Sequence, residues 1–293
     1  VRSLAALITV HDRRATTLAC LERLEGERAS LAAAGVEAGA VLVDDGSTDG
    51  TADAVRARFP WVKVVPGSGD LYWNGGTRLA LDDAREDDPD FYLLLNDDTH
   101  LLPGALGSLV AVHDALAAAS GDPCAVVGST RDPVTGARSY GGWARGSRLL
   151  PGRLRPVPPG DAPRRCDTMN GNCVLLPRAV VARVGNLDPA FTHSMGDLDY
   201  GFRASAAGCA LWVAPGYAGT CAENAGHARW ADGALGARER LRQVLGPKGL
   251  PFREWLLFSS RHYGPLWPAF FLSPYAKNAL RALRDALGAG RRG

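Results

Sequence analysis

The 293-residue chain is short of several features that would each have fixed its class. It has no strong excess of one charge: 33 Lys and Arg stand against 31 Asp and Glu, a formal net charge of +2, so the basic footprint of a nucleic-acid binder is missing. No apolar run approaches the roughly 20 residues needed to cross a bilayer. The apolar opening, residues 4–10, is too short for a signal core and runs straight into His11, Asp12, Arg13 and Arg14. A cytoplasmic protein is expected, with any membrane association peripheral, on the inner face of the cell membrane. The six cysteines, Cys20, Cys124, Cys166, Cys173, Cys209 and Cys221, form no C-x-x-C pair in a chain too long to need disulfide staples, which points to reduced thiols. Glycine is absent after the first apolar run. His11-Asp12-Arg13-Arg14-Ala15 therefore offers neither the G-x-G-x-x-G turn of a dinucleotide-binding oxidoreductase nor the Gly-rich phosphate loop expected of a sugar-nucleotide nucleotidyltransferase.

What is present is the make-up of an ordinary folded protein, 46% hydrophobic and 22% charged, enough for one large domain with an appended element. The first hundred residues alternate Val/Ile/Leu-rich runs at 4–10, 40–43, 62–65 and 91–95 with segments of helical period. Leu18, Leu21, Leu24 and Leu31 form one stripe, and 52–59 and 79–84 form two further helical stretches. That alternation predicts βαβ units around a mainly parallel sheet, whose strand ends feed the ligand-binding turns. Further on, the pattern predicts a helix over 104–118 and a strand at 125–128, then a Gly/Arg/Pro-rich passage from Arg131 to Arg165. Pro151, Pro156, Pro158, Pro159 and Pro163 make most of its last stretch a loop, either a lid or a solvated connection. Regular structure resumes with a strand at 173–176, a short helix ending at Val184, a helix over 196–207 and a strand at 211–214. After Gly236 come amphipathic segments rich in Arg and in large aromatics, from Trp255 to Tyr275. Residues 277–292 carry Leu280, Leu283 and Leu287 on one stripe beside Lys277, Arg281, Arg284, Arg291 and Arg292. Such a helix can lie on an anionic membrane, and its aromatics can equally pack on the catalytic domain or on a second subunit as a homodimer.

Three acidic constellations carry chemistry. Val43-Asp44-Asp45-Gly46-Ser47-Thr48-Asp49-Gly50-Thr51 sets two carboxylates at a strand end before a helix. There they can accept the N3–H of a uracil or thymine ring or a ribose hydroxyl, or simply cap the turn. Asn96-Asp97-Asp98-Thr99 ends the fully apolar fourth strand. Hard oxygen ligands there suit Mg²⁺ or Mn²⁺ bridging to phosphates; the alternative is a solvated acidic turn. In Gly196-Asp197-Leu198-Asp199-Tyr200-Gly201-Phe202-Arg203, Asp199 and Arg203 stand four apart and can pair on a helix. Asp197 is left at the helix start as a base, an N-cap, or both.

In this order the pieces resemble the family-2 inverting glycosyltransferases of the GT-A fold, of the bacterial polysaccharide type, over roughly residues 4–225. Ile8-Thr9-Val10-His11-Asp12-Arg13 looks like the family's first strand and donor-binding turn, although His11-Asp12 stands where an aromatic residue and Asn are usual. Gly69-Asp70-Leu71-Tyr72-Trp73-Asn74-Gly75-Gly76 looks like its glycine-rich segment, commonly with an Asn-x-Gly-type turn near the donor. Asn96-Asp97-Asp98 looks like its D-x-D metal element. Met169-Asn170-Gly171-Asn172-Cys173 resembles the small-residue turn under the sugar, and Asp197-Leu198-Asp199 the acidic motif whose first Asp is the base.

The resemblance implies a Rossmann-like nucleotide-sugar-binding fold with a mainly parallel mixed sheet flanked by helices. It further implies a catalytic domain over 1–235, split into a donor half, 1–102, and an acceptor half, 103–235, with a C-terminal helical extension over 236–293. Thr9, Val10, His11, Arg13, Asp44, Asp45, Trp73, Asn74, Gly75, Asn96, Asp97, Asn170 and Gly171 would serve the donor, with Thr9 and Asp45 at the nucleobase. Asp98 would be the principal metal ligand, with Asp97 toward the ribose or metal. His227 or His193 would be the downstream histidine, and Asp197 the base. The expected partners are a UDP- or dTDP-sugar donor, Mg²⁺ or Mn²⁺, and a glycan or lipid-linked glycan acceptor, with no nucleic acid. A catalytically inactive carbohydrate-binding or scaffold protein on the same fold is the alternative. A nucleotidyltransferase ranks behind it.

Overall fold

The apolar runs become strands because alternate residues face opposite sides of a sheet that is covered on both. A computed structural model describes residues 1–147, 152–223 and 235–289. It opens with β1 (Arg2–Val10), α1 (Arg14–Ala33), β2 (Val36–Asp44), α2 (Thr51–Arg58), β3 (Val62–Pro66), α3 (Tyr72–Ala84), β4 (Phe91–Leu95), β5 (His100–Leu101) and α4 (Ala105–Ser120). It continues with β6 (Cys124–Arg131), β7 (Gly142–Arg145), β8 (Leu154–Pro156), β9 (Arg164–Cys166), β10 (Thr168–Met169), β11 (Cys173–Pro177), α5 (Arg178–Val184), α6 (Gly196–Ala206) and β12 (Ala210–Thr220). The C-terminal helices are α7 (Ala237–Leu245), α8 (Phe252–His262) and α9 (Trp267–Ala289).

The main sheet runs β3-β2-β1-β4-β11-β6-β12-β5, with β9 beside β12. The first four strands are parallel and β11 is antiparallel to both of its neighbours. This is the mixed, mainly parallel sheet of the GT-A arrangement. Leu4, Ala6, Ile8 and Val10 of β1 pack with Leu21 and Leu24 of α1 and Leu106 of α4 on one face. Leu7, with Tyr92 and Leu94 of β4, packs against Ala80 and Leu81 of α3 and Tyr200 of α6 on the other.

One charged residue interrupts the apolar stripe of α1. Glu27 is buried, and its carboxylate accepts the N–H groups of Gly104 and Leu106, capping the start of α4 from across the core. All six cysteines are buried free thiols.

One expectation is extended and one needs correcting. The last stretch of the passage from Arg131 to Arg165 is mostly loop, as expected, but the passage also holds short strands for which no expectation was made. It supplies β7, β8 and β9, with β7 pairing β10 in a small three-stranded sheet. Short strands on two-residue registers carry too little periodicity to stand out among prolines. The correction concerns Trp73 to Gly76, which lie in the first turns of α3 and not in an Asn-x-Gly turn. Gly76 is glycine for packing, since a Cβ there would collide with the Thr9 side chain of β1.

The chain clusters into two compact units. The first comprises 1–144, 155–192 and 196–223; the second comprises 145–154, 193–195 and 224–293. The second is built on stacked aromatics. Trp255 and Phe258 are parallel with centroids 5.9 Å apart, and Tyr263 meets Phe258 edge-on at 5.6 Å. Trp255 Nε1 donates to the Phe271 carbonyl at 3.0 Å. On α9, Leu272, Leu280 and Leu283 are more than half exposed, and Lys277, Arg281 and Arg284 are exposed on the same helix. Among the described residues no helix is long and apolar enough to cross a membrane.

Candidate functional site

The carboxyl ends of β1, β2 and β4 lie side by side because the strands are parallel and in register, Val10 opposite Asp44 and Leu7 opposite Leu94. The turns that follow therefore converge. Val10 accepts the Asp45 N–H through its carbonyl at 2.8 Å, and the His11 ring nitrogen Nδ1 stands 2.6 Å from the Asp45 carbonyl. Asp44 Oδ1 accepts the Ser47 N–H at 2.9 Å, closing the turn before α2. The buried Asp45 carboxylate accepts two backbone N–H groups, from Gly69 at 2.7 Å and from Tyr72 at 3.0 Å, and so anchors the lead-in to α3. Thr9 stands 3.4 Å from the Thr77 hydroxyl.

Beyond β4, Asp97 is buried and Asp98 largely so, and the Arg13 guanidinium spans the pair. Its Nη1 donates to Asp97 Oδ1 and its Nη2 to Asp98 Oδ2, both at 3.0 Å. Burial raises the Asp97 carboxyl to about 7, with Arg13 pulling it down and Asp98 pushing it up. Burial and Asp98 together push the Cys221 thiol up to about 12, so the thiol remains a donor, 3.3 Å from Asp98 Oδ1. Among the described residues no three His, Cys, Asp or Glu side chains gather into a metal-holding group. A two-carboxylate site completed by substrate oxygens needs no third, and the guanidinium already stands where a cation would. His227 lies outside the described residues.

Asp197 opens α6. Its Oδ2 accepts the Gly171 N–H at 3.0 Å and its Oδ1 accepts the Leu198 N–H at 2.8 Å, which fixes the carboxylate's orientation. Of the two roles expected of Asp197, these contacts supply the N-cap-like anchoring. Two residues on, Asp199 is fully buried and paired with Arg203 at 2.7 Å, the structural pair that the spacing predicts.

Trp73 connects the two acidic centres. Its indole N–H donates to Asn96 Oδ1 at 2.7 Å, and its ring lies where a Cβ on Gly171 would be. Only glycine lets that backbone approach the ring and still reach Asp197. Asn170, the neighbouring residue, accepts from the Trp143 indole at 2.7 Å. Asn74 is fully buried, and its amide donates to the carbonyls of Asp188 and Phe191, bracing the loop that precedes α6. The Gly75 N–H donates to the Leu71 carbonyl at 3.1 Å.

Backbone strain points to the same place. Among the described residues four non-glycine residues have positive φ, and three of them border these turns: Asp12 (49°), Tyr72 (54°) and Met195 (71°). The residue reading missed Thr17 and Cys221, which also reach the acidic pair. Thr17 stands four residues after Arg13 and so shares its helix face, a signal that was available. Cys221 is 123 residues from Asp98, and no spacing rule reaches that far.

A family model for glycosyl transferase family 2 matches residues 6–171, more than half of the chain. An N-acetylglucosaminyl-diphospho-decaprenol L-rhamnosyltransferase of Mycobacterium tuberculosis, found in strains CDC 1551 / Oshkosh and ATCC 25618 / H37Rv, is 28% identical over 189 residues. That match takes in 57% of this chain and 61% of the relative's length. Among solved structures, the mannosyltransferase PcManGT from Pyrobaculum calidifontis, in complex with GDP-Man and Mn²⁺, superposes with a TM-score of 0.55 at 16% identity, covering 100% of this chain and 75% of that one. S. aureus TarS 1-349 in complex with UDP-GlcNAc gives 0.53 at 12% identity, covering 89% and 71%. At these identities the structural likeness establishes the fold.

Proposed function

The chain belongs to glycosyl transferase family 2, and from that premise we propose that it moves a sugar from a nucleotide-diphosphate donor to a hydroxyl of a glycan or lipid-linked glycan, with inversion and with Asp197 as base. The observation that carries the reading is the single indole that ties the two acidic centres together. Trp73 bonds to Asn96, beside Asp97-Asp98, and lies against Gly171, whose N–H holds Asp197. A donor whose diphosphate lies at the acidic pair then has its sugar between that pair and the base.

In the reaction Asp197 takes the proton of the acceptor hydroxyl as that oxygen bonds to the anomeric carbon. The bond from that carbon to the diphosphate oxygen breaks on the opposite face, and one displacement inverts the centre. The carboxylate is suited to this because two backbone N–H groups hold it in place without neutralising it. Asp97 and Asp98 would hold Mg²⁺ or Mn²⁺, which when bound offsets charge on the departing diphosphate. The strand-end turns around Val10, His11, Asp44 and Asp45 would take the nucleoside, with the exposed imidazole of His11 where the family usually has an aromatic ring.

A UDP- or dTDP-sugar is the favoured donor. The name of the mycobacterial relative, an L-rhamnosyltransferase on a diphospho-decaprenol, supports a lipid-linked acceptor. The exposed Leu272, Leu280 and Leu283 stripe of α9, with Lys277, Arg281 and Arg284 beside it, suits an anionic membrane face where such an acceptor is presented. We assign the donor and acceptor chemistry to the first unit and membrane contact to α9 in the second.

The test replaces Asp197 with Asn, which keeps the shape and leaves one oxygen to accept a backbone N–H, but removes the carboxylate that acts as base. The variant should bind UDP or dTDP as the parent chain does, with transfer lowered by roughly 100- to 10,000-fold. A fully active Asp197→Asn protein would sink the assignment of the base, and a parent chain inert toward every nucleotide sugar would favour the scaffold alternative.

A further inference from the structure

Arg13 is the residue that precedes α1, with non-helical backbone (φ −136°, ψ 41°) and a side chain 43% exposed. Its guanidinium forks across two successive aspartates, taking one oxygen of each. The remaining oxygen of each carboxylate has a donor as well: Thr17 Oγ1 lies 3.4 Å from Asp97 Oδ2, and Cys221 Sγ lies 3.3 Å from Asp98 Oδ1. In the ligand-free chain each of the four oxygens at the acidic pair therefore has a protein donor atom within 3.4 Å, and the two at 3.0 Å belong to Arg13.

That placement has a thermodynamic consequence. A divalent cation on these carboxylates would stand beside the Arg13 guanidinium, and positive charges that close repel strongly, so one must leave for the other to enter. Releasing Arg13 into water with nothing in its place would strand two neighbouring carboxylates in a largely buried turn, so the exchange must be cation for cation. The guanidinium fork that matches two carboxylate oxygens matches two phosphate oxygens equally well. Resting on the reading of Asp97-Asp98 as the metal site, we infer that Arg13 is a resident competitor of the metal, which a nucleoside diphosphate draws off the acidic pair. Metal and donor then bind with positive coupling, and part of that coupling belongs to this one side chain.

Mn²⁺ binding, followed by loss of the free-ion EPR signal on the whole chain at pH 8, separates the cases. The probes are Mn²⁺ alone and Mn²⁺ with UDP or dTDP, on the parent chain, Arg13→Gln and Arg13→Lys. Without nucleotide, Arg13→Gln should bind Mn²⁺ about tenfold more tightly than the parent, and the tightening by nucleotide should shrink by a similar factor. Arg13→Lys, which keeps the charge but loses the fork, should fall between the two, and it serves as the folded control if the Gln variant is unstable. Nucleotide-free affinity that is unchanged or weaker in both variants overturns the competition while leaving the metal site standing. A parent chain that binds no Mn²⁺ even with UDP or dTDP overturns the metal site and the competition together.

Discussion

The strand ends of the first unit and the helices of the second use buried polarity in opposite ways. Asp45 and Asp97 at the strand ends, and Asp199 on α6, are buried carboxylates, each held by backbone N–H groups or by an arginine. Such groups are costly to bury and are retained where their position matters. In the second unit the interior is aromatic, with Trp255, Phe258 and Tyr263 in mutual contact and Phe271 against Phe252, Trp267 and Tyr275. There α9 carries its charge on the outside, beside leucines left in water, and among the described residues the buried Arg240 of α7 is the charged exception to the apolar interior. The contrast teaches where to look for each property: chemistry where burial is unfavourable and maintained, and docking where apolar surface is left uncovered.

The sharpest way to break this division is to substitute one region and read the property assigned to the other. Asp197→Asn should lower transfer by roughly 100- to 10,000-fold and leave binding to vesicles unchanged, as a sedimentation assay would show. Asp98→Ala should cost roughly 100-fold or more in transfer and also abolish any gain in nucleotide affinity from Mn²⁺, measured by calorimetry. The paired change Leu280→Ser with Leu283→Ser should do the reverse. Binding to phosphatidylglycerol vesicles should fall by about tenfold or more, with transfer to a water-soluble acceptor unaltered. If the same pair of changes instead dissolves a dimer without affecting vesicle binding, the stripe belongs to a second copy of the chain.

Smaller effects test the links within the site. Trp73→Phe retains the ring but leaves Asn96 Oδ1 without its donor, and should cost about 1 kcal/mol in a denaturant titration. For Asp97 the sign of the pH effect follows from a folded-state value near 7 against 3.8 for the free group. Between those values the unfolded chain has lost a proton that the folded chain keeps, so the contribution of Asp97 to stability declines as pH rises through that window. Mn²⁺ affinity should rise over the same window, as the carboxylate ionises. Thermal melts from pH 5 to 8 should show the decline in the parent chain and a flatter profile in Asp97→Asn.

Much of this was legible in the sequence because it is local. The alternation Leu4, Ala6, Ile8, Val10 against Leu7 marks a two-faced strand, and Asp44-Asp45, Asp97-Asp98 and Asp197 each follow or precede an element whose period is clear. The Asp199–Arg203 pair is a four-residue relation on one helix. What escaped was set by distant partners. Glu27 reads as one more polar position on α1 until α4 is laid across it, and Cys221 meets Asp98 only once β12 has crossed the sheet. For Asn74 to Gly76 the family resemblance implied a turn, but these residues pack against Phe191 and Thr9 as the start of a helix. The short strands β7 to β10 have too few residues for any period to declare itself.

Nucleotide binding at the strand ends is the claim on which the rest depends, and titration calorimetry of UDP, dTDP, GDP and CDP, each with and without Mn²⁺, tests it directly. The account predicts saturable binding of UDP or dTDP that Mn²⁺ strengthens. Absence of binding by every nucleotide under both metal conditions would contradict it, leaving a family-2 fold without a donor site.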